Sequence, residues 1–412
     1  MAHVKVTALF TTAFFLIAAG TVANGWQMYF MAAVLLALPV ASLAIGRVAL
    51  HGLSAAREVP SPAWSGDITS LALRIRASGW WPRMFLEARD VLPRLIRRTD
   101  DAPLAFDIAP GGEATLRYDV EPLKRGAYRL RHVLLTARDP MGLFAFTKRI
   151  PADGELIVYP TPEAVPGFTL SGADRYGYRD LPRAAARGSG IDPDGVREYI
   201  PGDPLRRMHW KTVARTGDLH VIEFEEARSV DVVLLLDCYA GSVVGEDLDT
   251  NFEYLVRAAA SIAEEAIRQQ ASVRLSCMGD GGIGTGAGRG TDHLLSILAA
   301  LARVEPLDPG RLAQRVSARL GPLPAGTTLV ALTGDDDPAL GETLAQYVAA
   351  DVRVIVVCAD RASFARTAPM EAPSHGEAPL SFLSAGAEVY AIGRSEGRRL
   401  LLDPVRGAHA LA

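Results

Sequence analysis

Cysteine is scarce: Cys238, Cys277 and Cys358 are the only three in 412 residues. An odd count with no paired spacing excludes a disulfide framework, and the lack of any Cys-x-x-Cys excludes a zinc ribbon. Each cysteine ends or interrupts an apolar run, so each reads as a small core residue in a reducing compartment. His-Glu-x-x-His and Gly-Lys-Ser/Thr are absent, and Gly188-Ser189-Gly190 lacks the spacing of a nucleophile elbow. Excess positive charge is also lacking, with 43 Lys and Arg against 47 Asp and Glu. Without a domain-wide basic field no nucleic-acid partner is expected. No catalytic residue stands out, and enzyme activity is not expected.

The chain does have long apolar runs. Val6 to Ala23 carries no charge, and after Asn24-Gly25-Trp26-Gln27 a second uncharged run extends from Met28 to Gly46. Each is about the length that crosses a hydrocarbon layer of roughly 30 Å. Asn-Gly is a tight-turn dipeptide, and Trp26 and Tyr29 favour the headgroup boundary, so residues 1–50 read as a transmembrane helical hairpin. Pro39 is tolerable in such a helix. Lys5 precedes the first run, Arg47 and Arg57 follow the second, and the turn is uncharged. That bias places both ends, and the soluble domains, in the cytoplasm of a multi-pass cell-membrane protein. A cleaved signal near Thr21-Val22-Ala23 is the competing reading, with only one lysine before it and a second span directly after.

Pro60-Ser61-Pro62 reads as a linker into an all-β, sandwich-like domain over 60–165. Ala114–Val120 alternates in period two, Lys124-Arg125-Gly126 turns the chain, and Tyr128–Leu135 resumes the alternation. Residues 166–228 read as a linker and a signature segment. From 229 to 412 strands alternate with helices, as in an α/β Rossmann-like domain with a parallel sheet. Val232–Leu236 is a buried strand ending at Asp237, and Phe252 to Ile267 is an amphipathic helix. Further strands are predicted at Ser272–Met278, Thr327–Leu332, Val352–Cys358 and Glu388–Ile392. Helices are predicted near Asp292–Arg303, Pro309–Leu320, Pro338–Ala349 and Ser395–Leu401.

Gly279 to Gly290 lies between a strand and a helix, where glycines let a backbone approach phosphate. The run is longer than a compact dinucleotide turn, and no acidic residue ends a second strand at the required distance, so a flexible surface loop is the favoured reading. Thr333-Gly334-Asp335-Asp336-Asp337 follows another strand and reads first as a solvated turn, with Asp337 capping the helix from Pro338.

The densest segment is Arg197-Glu198-Tyr199-Ile200-Pro201-Gly202-Asp203-Pro204, followed by Arg206, Arg207, His209, Trp210, Lys211 and Arg215. Five basic residues stand there against Glu198 and Asp203. The excess could grip an acidic partner or a phosphate. The favoured alternative is a framework of charged pairs with Tyr199 and Trp210 packed underneath and Pro201-Gly202-Asp203 supplying the turn. His209 reads as a hydrogen-bonded structural residue.

This segment resembles the signature of a bacterial family known as domain of unknown function 58 (DUF58). So do Arg125-Gly126-Ala127-Tyr128, the Asp139-Pro140-Met141-Gly142-Leu143-Phe144 run and Val158-Tyr159-Pro160. The resemblance implies a von Willebrand factor A-like domain after the signature and association with MoxR-type AAA+ ATPases. In such domains Asp-x-Ser-x-Ser holds a divalent ion; here Asp237-Cys238-Tyr239-Ala240-Gly241-Ser242 replaces both hydroxyls, with Ser242 one place on. The resemblance therefore implies a degenerate site of Asp237, Ser242 and Asp335, for which magnesium is the candidate ion, and no cofactor is otherwise expected. The expected function is a membrane-anchored protein-interaction scaffold partnering a MoxR-type ATPase in envelope or complex maturation. The alternative is a magnesium-dependent hydrolase or nucleotide-binding enzyme using Asp237 and Asp335 to Asp337.

Overall fold

Two apolar helices open the chain, α1 (Ala2–Ala23) and α2 (Trp26–Ala49). At 1.5 Å per residue each is roughly 33 to 36 Å long, enough to cross a bilayer core. Asn24 takes the left-handed conformation, φ 52°, that reverses the chain between them. Small residues let the helices approach: Ala13 and Ala32 are buried, and Gly20 faces Met28 and Tyr29. Phe10, Phe14, Phe15 and Phe30 point outward. The computed structural model describes residues 2–60, 62–139, 141–165, 168, 170, 193–200, 208–224, 231–279, 281–335, 337–365, 380–395 and 399–405. They divide into two compact units, Met1–Thr161 with Leu298–Val304, and Pro162–Ile297 with Glu305–Ala412.

From the end of α2 to Thr161 the first unit is all β: β1 (Leu53–Glu58), β2 (Ala63–Trp64), β3 (Thr69–Ala77), β4 (Arg83–Asp90), β5 (Ile96–Arg98), β6 (Leu104–Ile108), β7 (Glu113–Pro122), β8 (Gly126–Arg138) and β9 (Ala145–Tyr159). Sheet β1-β3-β7-β5 and sheet β2-β9-β8-β4-β6 share one apolar core, to which alternate residues such as Leu71, Leu73, Ile75 and Val133, Leu135, Ala137 contribute. The first strand precedes the expected boundary at 60, because Leu53 to Glu58 pairs antiparallel with β3. Arg57, read above as a charge flanking the second span, is a core residue of β1. Its guanidinium pairs with Asp90 and donates to the carbonyls of Leu130 (2.7 Å) and Ala152, so the flanking charge bias rests on Lys5 and Arg47.

The second unit begins with β10 (Pro193–Glu198), α3 (Trp210–Thr216) and β11 (His220–Phe224), in which β10 and β11 pair antiparallel. Next come β12 (Asp231–Leu236), the short pair β13 (Gly245–Glu246) and β14 (Asp249–Thr250), α4 (Asn251–Arg268), β15 (Ser272–Cys277), α5 (Gly290–Arg303) and α6 (Leu312–Arg319). The chain closes with β16 (Thr328–Thr333), α7 (Pro338–Ala349), β17 (Arg353–Ala359), α8 (Leu380–Ser384), β18 (Glu388–Ile392) and β19 (Asp403–Pro404). One sheet runs β15-β12-β16-β17-β18-β19, parallel except for its last strand. Val233, Leu235, Leu329 and Val356 face a cluster completed by α6, α7 and α8, while α4 packs on β12, β15, β16 and β17. Thr250 caps α4 and Asp337 caps α7, the latter by accepting from Ala339 N–H at 3.1 Å.

Two expectations are corrected. The glycine run does not stand off as a loop: it returns antiparallel along β15, with Cys277 N–H donating to Ile283 O (3.0 Å) and Thr285 N–H to Leu275 O (2.9 Å). The close approach needs glycine, since a Cβ on Gly284 would lie 2.7 Å from Leu275 O. Nor do the described parts of Ser395–Leu401 form a helix. Leu400 is buried with its N–H given to Glu163 Oε2, and the chain continues into the antiparallel edge strand β19.

Candidate functional site

The sheet order places β15 on one side of β12 and β16 on the other, so the chain changes direction at the β12–β16 seam. Open α/β sheets bind ligands at the carboxyl end of such a seam. Leu236 pairs with Leu332 in register, which brings Asp237 beside Thr333. Asp237 is 2% exposed; Oδ1 accepts from Tyr239 N–H (3.0 Å) and Oδ2 from the Thr333 hydroxyl (2.9 Å). Burial pushes its carboxyl up to about 6, against the pull of those two hydrogen bonds and with help from the charges of Asp335 and Asp308.

Asp308 reaches this rim from the segment between α5 and α6. Its N–H donates to Cys238 O (3.0 Å) and its carbonyl accepts from Ala240 N–H (2.8 Å). Oδ1 accepts from Gly310 N–H and from Arg315 Nη2, each within 2.7 Å, whereas Oδ2 is buried without a hydrogen bond. Asp335 is also buried, and its Oδ2 has no hydrogen bond, although Arg311 Nη1 lies 3.4 Å away and Arg361 Nη1 lies 4.0 Å from Oδ1. Arg311 reaches Asp337 as well (3.6 Å) and stands over the Tyr239 ring.

Asp237 and Asp335 meet at Thr333, whose hydroxyl donates to Asp237 Oδ2 (2.9 Å) and accepts from Asp335 N–H (3.0 Å). The Ser242 hydroxyl donates to Tyr239 O (2.8 Å), and Asp335 faces guanidinium groups where a divalent ion would need oxygen. Among the described residues, no group of three or more His, Cys, Asp and Glu is arranged to hold a metal. Cys238 is buried, and a hydrogen bond with Cys277 together with that burial pushes its thiol well up. Asn251 braces the rim, its side chain donating to Ser242 O and accepting from Val244 and Phe252 N–H.

The sequence reading missed Asp308, Arg311 and Arg361. A signal existed for the first: Asp308-Pro309-Gly310 is turn chemistry between two helical segments.

The signature segment forms a strand–helix–strand unit. Arg197 pairs in register with Val221 and Glu198 with His220; Tyr199 N–H donates to Leu219 O (2.9 Å). Pro201, Gly202, Asp203 and Arg206 lie outside the described residues. His209 caps α3: Nδ1 accepts from Thr212 N–H (3.3 Å) and lies 2.6 Å from its hydroxyl, while its own N–H donates to His220 O. Gly217, at φ 85°, ends the helix. Tyr199 is half-buried and Glu198 exposed. The expected packing of Trp210 beneath the loop is corrected. Trp210, at the first turn of α3, is 63% exposed beside exposed Lys211 and Arg215, whereas Met208 and Val221, which bridge to each other, are buried.

Residues 195–336 match a family described as "Protein of unknown function DUF58". The uncharacterized protein YeaD of Bacillus subtilis (strain 168) is 27% identical over 229 residues, covering 52% of this chain and 53% of YeaD. The uncharacterized protein Rv1480 of Mycobacterium tuberculosis (strain H37Rv) is 36% identical over 75 residues, 18% of this chain and 24% of its own. The chain thus spans about half of the first relative and about a quarter of the second. Among solved structures, the CARDB domain of PF1109 from Pyrococcus furiosus matches at 12% identity over 26% of this chain and 94% of that one. Its TM-score of 0.18 carries no argument about fold.

Proposed function

We propose that the protein is a membrane-anchored recognition scaffold of the DUF58 family. In this reading α1 and α2 cross the bilayer with both ends in the cytoplasm, the second unit is a von Willebrand A-like module, and the signature segment docks another protein without turning over a substrate. The observation that carries the reading is Trp210, an exposed indole flanked by exposed Lys211 on a capped helix inside the DUF58-matching residues. Tryptophan and arginine dominate the energetics of protein interfaces, and a solvent-facing indole gains most when a partner covers it. The module assignment is supported by the parallel sheet, by the antiparallel return of residues 283–288 at the β15 edge and by Asp237 at the seam. Arg311 beside Asp335 supports docking that needs no metal. The partner implied by the family resemblance is an AAA+ ATPase of MoxR type, acting in envelope or complex maturation.

A magnesium-dependent hydrolase or nucleotide-binding enzyme on the same sheet is the second reading. What favours it is the raised Asp237 carboxyl together with the buried, unbonded oxygens of Asp308 and Asp335. The two are separated with the full-length protein in lipid nanodiscs. The scaffold reading expects binding to a purified MoxR-type ATPase that Trp210→Ala abolishes and Asp237→Ala leaves intact. Tight calorimetric binding of magnesium with nucleotide, lost in Asp237→Ala, would favour the second reading instead.

A further inference from the structure

We propose that the β-sandwich half is itself seated on the bilayer, through an apolar collar of Trp80, Trp81, Met84, Phe85 and Met141 placed in the headgroup layer around the exit of α2. The inference rests on reading α1 and α2 as membrane-spanning. The β3–β4 loop with the bulged start of β4, and the β8–β9 turn, carry the collar, and both are fastened to helix ends. In the first, Ser78 N–H donates to Gly52 O (2.8 Å) and Arg83 Nη2 to His51 O (3.1 Å), two residues and one residue beyond the C-cap of α2 at Leu50. In the second, the turn from β8 to β9, Met141 O accepts from Lys5 Nζ (3.3 Å) near the start of α1. Just past that turn the Phe146 ring packs on Gly46, where a Cβ would lie 2.5 Å from it. The first turn of α1 and the last turns of α2 define one level, and both loops are held at it.

The side chains at that level are out of place in water. Trp80 is 80% exposed, Trp81 48%, Met84 51%, Phe85 49% and Met141 45%. Among the described residues of 53–161, the only other large apolar side chains so exposed are Ile68 and Val91, so the exposure is concentrated in these two loops. The backbone is bent to achieve it. A bulge between Arg83 and Leu86 puts Met84 and Phe85 outward in succession, where strand alternation would bury one of them. Phe85 takes φ 56°, a conformation that L-residues avoid, and is held there by its N–H donating to Asp107 Oδ1 (2.7 Å).

The bilayer is the occupant that the surroundings select. Ile45 and Val48 are exposed on the last turns of α2 together with Arg47, so apolar surface runs from the helix toward the collar beside a cation suited to lipid phosphate. Two adjacent indoles in edge-to-face contact (5.4 Å between centroids) suit the headgroup boundary, where tryptophan's apolar ring and polar N–H are both accommodated. A collar of this kind would hold the sandwich close to the membrane and fix its tilt.

Tryptophan fluorescence tests this in the full-length protein reconstituted in phosphatidylcholine vesicles, with and without lipids brominated near the head of the acyl chain. Single-tryptophan variants keep Trp26, Trp80, Trp81 or Trp210 and carry Trp→Phe elsewhere; a fifth carries Met141→Trp in the tryptophan-free background. The expected result is loss of emission in brominated vesicles for Trp26, Trp80, Trp81 and the position-141 probe, with Trp210 unaffected. Quenching of Trp26 without quenching of Trp80, Trp81 or the 141 probe overturns the collar and leaves the spanning helices standing. An unquenched Trp26 overturns the spanning reading and the collar with it. Equal quenching of Trp210 and Trp80 also overturns the collar, since lipid contact would then not be confined to it.

Discussion

Asp90 in the β half and Asp237 in the α/β half are both buried carboxylates, and they are answered in opposite ways. Asp90 meets Arg57, whose side chain is fully buried with it, and Arg57 in turn satisfies two backbone carbonyls while the Tyr118 hydroxyl closes on Asp90. Asp237 receives only an N–H and a hydroxyl, and burial, with the charges of Asp335 and Asp308 added, raises its proton affinity. The cations of the rim, Arg311 and Arg315, pair with those neighbours and not with Asp237. A closed network of the first kind is framework; an acid left short of positive charge keeps a displaced protonation equilibrium instead.

The largest expected effect breaks the closed network. Arg57→Ala leaves Asp90 buried and unpaired, which costs about 3–5 kcal/mol, read as lost hydrogen-exchange protection in β1, β8 and β9. Arg57→Met with Asp90→Leu should restore most of it, because the pair is worth little against well-packed apolar side chains. Failure of the double variant to recover would mean that the network also fixes the sandwich's register.

The next effect sharpens the contrast from the other side. The Asp237 carboxyl titrates near 6 in the fold against 3.8 unfolded. The folded state thus holds the proton more tightly, and the stability this contributes is complete below about pH 4 and lost as pH rises through 6. At 1.36 kcal/mol per unit the loss is about 3 kcal/mol. Asp237→Asn has no proton to release, so the wild-type minus variant difference in protection of β12 and β16 should fall between pH 4 and 7. A difference flat with pH would show that Asp237 is ionised throughout, as a bound cation would make it.

Much of the fold was legible because burial writes periodicity into the chain. The two uncharged runs, the alternation of β7 and β8 and the apolar run of β12 each report which faces meet water. Contacts brought together by topology were not legible. Arg57 looked like a membrane-flanking charge because nothing near it in sequence shows that Asp90 waits across the sheet. Arg311 and Asp308 reach the rim around Asp237 from a segment some seventy residues on, with only a turn motif to mark it. Glycine abundance between 279 and 290 suggested slack, whereas close backbone approach was its cause. Trp210 reads as packed because aromatics usually are, whereas in the fold it stands exposed at the first turn of α3.

The smallest expected effect on stability is at that tryptophan. Trp210→Ala should change protection of the α/β half by no more than about 0.5 kcal/mol, as exposed positions do. A cost of several kcal/mol would move Trp210 back to the framework.

A photoactivatable phenylalanine analogue at position 210, in the full-length protein in native membranes, tests the scaffold claim most directly. Illumination should yield a discrete protein adduct containing an AAA+ ATPase, and that adduct should survive Asp237→Asn. Adducts to lipid alone, or none at an expression level where the protein is folded, would contradict the account.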